Sequence, residues 1–192
     1  MKPVKNILLA GVGGQGILLA SEVLSEVMMM AGHDVKKNEI HGMSQRGGSV
    51  VSHVRYGEKV YSPIIPEGEA DILFSFELLE TSRYLPLLRE NGQVVINNLK
   101  IAPPAVALGK QPYPEHLIEE IRKQFPATMV VNGLDLALEA GNVKTVNTVL
   151  LGALSNILEF EHSIWLKALN RMVPARLLEV NLKAFELGCN VK

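Results

Sequence analysis

The chain has 192 residues, 47% of them hydrophobic, enough to fill one core and short of what two independent domains require. With 19 Lys and Arg against 20 Asp and Glu, its surface carries no net field that would draw it to nucleic acid or to an anionic membrane. The single cysteine, Cys189, excludes an internal disulfide and also a protein-ligated iron–sulfur cluster, which takes about four thiolates.

Residues 1–7 run directly into a strand-like segment, with no apolar signal core and no small-residue cleavage site, so a cytoplasmic location is expected. Residues 4–10 are a short apolar run that ends in Gly11-Val12-Gly13-Gly14-Gln15-Gly16, and an apolar helical stretch follows as far as Gly32. Ser21, Glu22, Ser25 and Glu26 interrupt that stretch, which therefore lacks the roughly 20 apolar residues a bilayer span needs. Residues 35–40 read as a second strand. Residues 50–56 and 59–62 flank Gly57-Glu58 with hairpin spacing, which predicts an antiparallel pair inserted into the sheet.

From Asp71 the alternation resumes, with strand at 72–76, helix at 77–89, a break at Asn91-Gly92 and strand at 93–97. The proline-containing segment 101–113 reads as loop. Pro114 is expected to start a helix that ends at Phe125, and 128–132 to form the last strand. Beyond Leu134 the spacing is helical throughout, with breaks at Gly141-Asn142, near His162-Ser163 and at Pro174. The expected fold is a three-layer α/β/α, Rossmann-like domain over residues 1–192. Its sheet is mixed and mostly parallel, with a β-hairpin insertion and a helical extension from about residue 134.

The glycine pattern at 11–16 falls after a strand and before a helix, where tight turning and free amides favour an anion, most naturally a phosphate. The competing reading is that these glycines only allow close packing of strand and helix. A nicotinamide dinucleotide would also need an acidic residue about 20 positions later. Here Val35-Lys36-Lys37-Asn38-Glu39 places lysines there, so NAD loses ground and Lys37 is left to meet the 2′-phosphate of NADP. The second unusual segment is His41-Gly42-Met43-Ser44-Gln45-Arg46-Gly47-Gly48-Ser49, just past a strand end, with an arginine between flexible glycines that suits a phosphate or carboxylate.

The five histidines, His33, His41, His53, His116 and His162, lack the spacing of a zinc site, and no metal ligand is expected. His53 reads as a packed residue of a strand and His41 as the one histidine worth testing. No Gly-x-Ser-x-Gly elbow supports hydrolase chemistry, and Met28, Met29 and Met30 read as core filling.

These segments, with Asn147-Thr148-Val149-Leu150-Leu151-Gly152-Ala153 and the weaker echo 181–188, resemble the gamma-type subunit of 2-oxoacid:ferredoxin oxidoreductases. The stretch from His41 to Gln45 is most similar to the beta subunits of the indolepyruvate type. The resemblance implies CoA-dependent oxidative decarboxylation of an aryl 2-oxoacid to acyl-CoA, CO2 and reduced ferredoxin. It implies a large alpha subunit that carries thiamine diphosphate, Mg and 4Fe-4S clusters, with ferredoxin engaged indirectly. This chain, having no Gly-Asp-Gly segment, would bind none of these cofactors alone and would be inactive alone.

The residues expected to meet a cofactor or co-substrate, coenzyme A in particular, are Gly11, Gly13, Gly14, Gln15, Gly16, Ser44, Gln45, Arg46, Gly47 and Gly48, with no catalytic residue among them. An apolar face on the helical tail would mark the partner surface, and its self-association would make a homodimer of the isolated chain. The rival readings are a free-standing NADP- or flavin-binding reductase and a non-catalytic scaffold.

Overall fold

The computed structural model describes residues 3–42 and 47–192. In chain order they form β1 (Lys5–Val12), α1 (Ile17–Met30), β2 (Asp34–His41), β3 (Ser49–Gly57), β4 (Ala70–Ser75) and α2 (Leu78–Tyr84). There follow β5 (Leu88–Asn97), α3 (Pro104–Ala107), α4 (Leu117–Gln124), β6 (Met129–Val131), α5 (Gly133–Ala140), α6 (Val146–Ser155), α7 (His162–Met172) and α8 (Ala175–Cys189). The strands make one sheet in the order β2-β3-β1-β4-β5-β6. β1, β4, β5 and β6 are parallel neighbours, whereas β3 runs antiparallel to both β1 and β2.

Strand alternation splits the core into two layers. Ile7, Leu9, Phe74 and Val95 face α1, α6, α7 and α8, while Leu8, Ala10, Leu73, Val94 and Ile96 face Leu78 of α2 and Leu117 and Ile121 of α4. The central strands are thus apolar on both sides, as a sheet covered by helices on both faces requires, and the three-layer expectation holds. No helix among the described residues is long and apolar enough to cross a membrane.

The antiparallel insertion is present, but its composition differs from the expectation. β3 pairs with β2 along its whole length, from Asp34 opposite Gly57 to His41 opposite Val50, and residues 59–62 form no strand. Both edges of β3 are taken, by β2 and by β1, so no ladder is left for 59–62 to join. Side chains serve that segment instead. Asp34 accepts the Val60 amide at 2.9 Å, Arg55 donates to the Ser62 and Ile64 carbonyls at 2.9 Å each, and the Ile65 amide donates to His53 Nδ1 at 3.1 Å.

The helix expected over 77–89 is shorter. Pro86, with no amide to donate, lies in a single 3-10 turn after Tyr84, and β5 starts at Leu88. The helix expected from Pro114 begins at Leu117, behind His116 in a left-handed conformation (φ 60°). The segment 101–113 contains the short helix α3. Of the three methionines that end α1 only Met28 is core, and Met29 and Met30 are exposed, because successive helical residues point about 100° apart.

Candidate functional site

The carboxyl ends of β1, β4, β5 and β6 lie along one edge of the sheet. α1 leaves β1 toward one face and α2 leaves β4 toward the other, so the glycine turn stands at the point where the connections diverge. Open α/β sheets place ligands at such a point.

Side-chain amides hold this edge in shape. Gln15 Oε1 accepts the Val12 amide at 2.6 Å, and Gln15 Nε2 donates to the Phe76 carbonyl at 3.0 Å. Asn97 Nδ2 donates to the same carbonyl at 3.2 Å, and Asn97 Oδ1 accepts the Gly133 amide at 3.1 Å. The four element ends are thereby tied in series. Glu77, buried at the mouth of β4, accepts the Glu80 amide at 2.9 Å, the Ile101 amide at 3.0 Å and the Tyr113 hydroxyl at 2.7 Å, which pins segment 98–113 along the edge. Burial, and then the bond to Glu77, raise the Tyr113 phenol above its ordinary range, so it stays a donor.

Not every residue expected to meet a ligand is free to do so. Gly11 is the buried penultimate residue of β1, paired with Val50. The Gly13 amide donates to the Gly48 carbonyl at 2.9 Å, joining the two glycine segments, and the Gln15 amide donates to the Val12 carbonyl at 3.2 Å. Gln15 is therefore a brace through both its side chain and its amide. Among the described residues the amides of Gly14 and Gly16, both with positive φ, donate to no protein acceptor, and they line a cavity of about 480 Å³. Its other walls are Gln15, Phe76, Leu99, Val143, Lys144 and Val146. A volume of that order accommodates a sizeable ligand fragment.

Gly47 and Gly48 return the chain beside this turn, and Ser49 anchors the return by donating to Glu80 Oε2 at 2.5 Å, with Tyr84 Oη 3.1 Å away. Arg83 pairs with the other Glu80 oxygen at 2.9 Å. Ser44, Gln45 and Arg46, expected at the site, lie outside the described residues.

Sequence reasoning missed Lys144, exposed at the cavity mouth within an Asn142-capped 3-10 turn, because nothing in the sequence links it to residues 130 positions earlier. It also left the late-helix motif without a role. Asn147 donates from Nδ2 to the Gly16 carbonyl at 3.4 Å and fills the space a Cβ at Gly16 would occupy. Thr148 donates to Asn181 Oδ1 at 2.6 Å inside the α6–α8 contact.

His53 is a packed residue. Burial, and then Arg55, hold its imidazole below the usual range, and Nδ1 acts as an acceptor. His41 is exposed, 3.5 Å from Glu39. Lys37 lies 3.6 Å from Glu22 and donates to Ser21 at 3.4 Å, while Glu39 accepts from the same Ser21 at 3.2 Å. Both are turned to α1. Moreover β3 separates β1 from β2, whereas dinucleotide binding uses adjacent parallel strands.

Fold and site together define an α/β domain with an anion-suited glycine turn at its switch point and with no set of thiols to hold a cluster. The chain belongs to the pyruvate ferredoxin/flavodoxin oxidoreductase family, whose model matches residues 6–191. It is 43% identical to indolepyruvate oxidoreductase subunit IorB of Thermococcus kodakarensis over 95% of this chain and 93% of that protein. Among solved structures it is similar to pyruvate oxidoreductase subunit PORC of Thermotoga maritima, with a TM-score of 0.75 at 22% identity over 99% of this chain and 97% of that one. It is also similar to the 2-oxoglutarate:ferredoxin oxidoreductase of Magnetococcus marinus, solved with 2-oxoglutarate, coenzyme A and succinyl-CoA. The TM-score there is 0.76 at 20% identity, covering 98% of this chain and 31% of the longer one. These two likenesses establish the fold.

Proposed function

We propose that this chain, as one gamma-type domain over residues 1–192, is the small subunit of a cytoplasmic 2-oxoacid:ferredoxin oxidoreductase of the indolepyruvate type. The observation that carries the reading is the 43% identity with an indolepyruvate oxidoreductase subunit along nearly the whole of both chains. The reaction would join an aryl 2-oxoacid to coenzyme A, releasing CO2 and passing two electrons to ferredoxin. Thiamine diphosphate with its Mg ion, and the 4Fe-4S clusters, would supply decarboxylation and electron relay from the large subunit. One thiol in the chain fits no such cluster.

The part left to this chain is to receive coenzyme A. Gly14, Gly16 and Lys144 line one cavity, and Arg46 belongs to the adjoining glycine segment. Such donors suit the phosphates of coenzyme A. Leu134 and Leu138, one turn apart on α5, and Val143 at the cavity mouth are exposed, and they offer the large subunit an apolar surface beside that cavity.

In the assembled enzyme, Lys144→Ala and Arg46→Ala are each expected to raise the KM for coenzyme A about tenfold while the KM for the oxoacid stays the same. An unchanged KM for coenzyme A in both would contradict phosphate binding here. Micromolar binding of NADP or a flavin by the isolated chain would instead favour a free-standing reductase.

A further inference from the structure

The one thiol of the chain lies beside a histidine and a carboxylate from two different helices. Glu186 and Cys189, three residues apart on α8, share a face of that helix. His162, the first residue of α7, reaches the same spot, its Nε2 2.8 Å from Glu186 Oε1. One donor atom from each residue, an imidazole nitrogen, a carboxylate oxygen and a thiol sulfur, lie within 4.8 Å of one another.

The frame behind them is well packed and hydrogen-bonded. The buried Phe185 ring sits 5.7 Å from the His162 ring and 5.6 Å from that of Trp165. Ser155 Oγ of α6 lies 3.4 Å from Cys189 Sγ, and Asn156 donates to the carbonyls of Cys189 and Val191 at 3.0 Å each.

We propose that His162, Glu186 and Cys189 form a binding site for one divalent cation of the zinc class, with a fourth position open to water. Donors around tetrahedral zinc stand about 3.4–3.6 Å apart. The His162–Glu186 contact therefore has to open slightly and the wider separations have to close by about an ångström. His162 and Glu186 are half exposed, at 50% and 52%, so rotamer adjustment achieves this without moving a helix. Sulfur and imidazole together select a borderline metal over magnesium or calcium, which prefer oxygen alone. An ordinary surface ion pair accounts for the His162–Glu186 contact but assigns nothing to the adjacent sulfur. The site is separate from the glycine turn: Asn147 touches the turn from the start of α6, Ser155 touches Cys189 from its end, and the intervening helix spans about 12 Å.

The test is cobalt titration of the full, untagged chain under reducing conditions. One equivalent of Co2+ should bind with micromolar or tighter affinity, giving a sulfur-to-cobalt charge-transfer band and intense visible absorption, both displaced by Zn2+ and unaffected by excess Mg2+. Cys189→Ser should abolish the charge-transfer band, and His162→Asn and Glu186→Gln should each weaken binding about tenfold or more. As an independent readout, Zn2+ should raise the thermal midpoint of the native chain but not of His162→Asn. Absence of the band at about 100 μM cobalt, a band that survives all three substitutions, or equal thermal shifts in native and variant chains would overturn the proposal.

Discussion

At Gly16 the backbone turns at φ 78°, and a Cβ built there would come 2.8 Å from Asn147 Nδ2, so two independent penalties meet at one residue. Gly16→Ala is expected to lower the unfolding free energy by about 1–3 kcal/mol in a urea titration. Adding Asn147→Ala should recover the steric part and leave the left-handed backbone cost. Full loss without any recovery would contradict this division.

His53 provides the pH-dependent counterpart. Burial, and then Arg55, lower its folded pKa, whereas the unfolded chain takes up the proton near the ordinary 6.5. The folded state thus binds fewer protons below that value. His53's contribution is fully present above 6.5 and is lost as pH falls toward the folded value. The drop in thermal midpoint between about pH 7 and pH 5.5 should be smaller in His53→Gln than in the native chain.

Among elements, the tightest packing is between α6 and α8, where Gly152 and Gly188 bring the two helix backbones together. A Cβ on Gly152 would overlap the Phe185 carbonyl oxygen, and one on Gly188 would overlap that of Val149. Neither neighbour is a flexible side-chain end, so Gly152→Ala should cost at least about 1–3 kcal/mol, measured as a lower urea midpoint at an unchanged denaturant slope. The two separated sequence segments that carry part of the family resemblance, 147–153 and 181–188, are the two sides of one helix crossing.

Such pairing is invisible to periodicity, which reads one segment at a time. Local signals did serve where they were sufficient. The strand, glycine turn and long first helix lie within two residues of their expected bounds, and Gly141 and Pro174 mark helix boundaries as expected. They misled where a tertiary partner decided the outcome. Residues 59–62 have strand-like spacing, yet β3 has both its edges occupied. Gln15 does line the cavity, but its bond to Phe76, 61 positions away, could not be read from the sequence. Lys144 and the His162, Glu186 and Cys189 group come together only through folding, so no spacing rule would have found them.

For the whole molecule, the carboxyl edge is a braced platform. Gln15, Asn97 and Glu77 spend their hydrogen bonds on fixing its geometry, and among the described residues Gly14, Gly16 and Lys144 offer donors along the cavity wall. Such groups can bind and orient a ligand but cannot oxidise one, which suits the proposed role of a subunit that works with a second chain. The most direct measurement is arylpyruvate-dependent, CoA-dependent ferredoxin reduction by a cluster-bearing large subunit prepared with and without this chain. Activity is expected from the pair and none from either chain alone. Equal turnover by the large subunit without this chain, or turnover by this chain by itself, would contradict it.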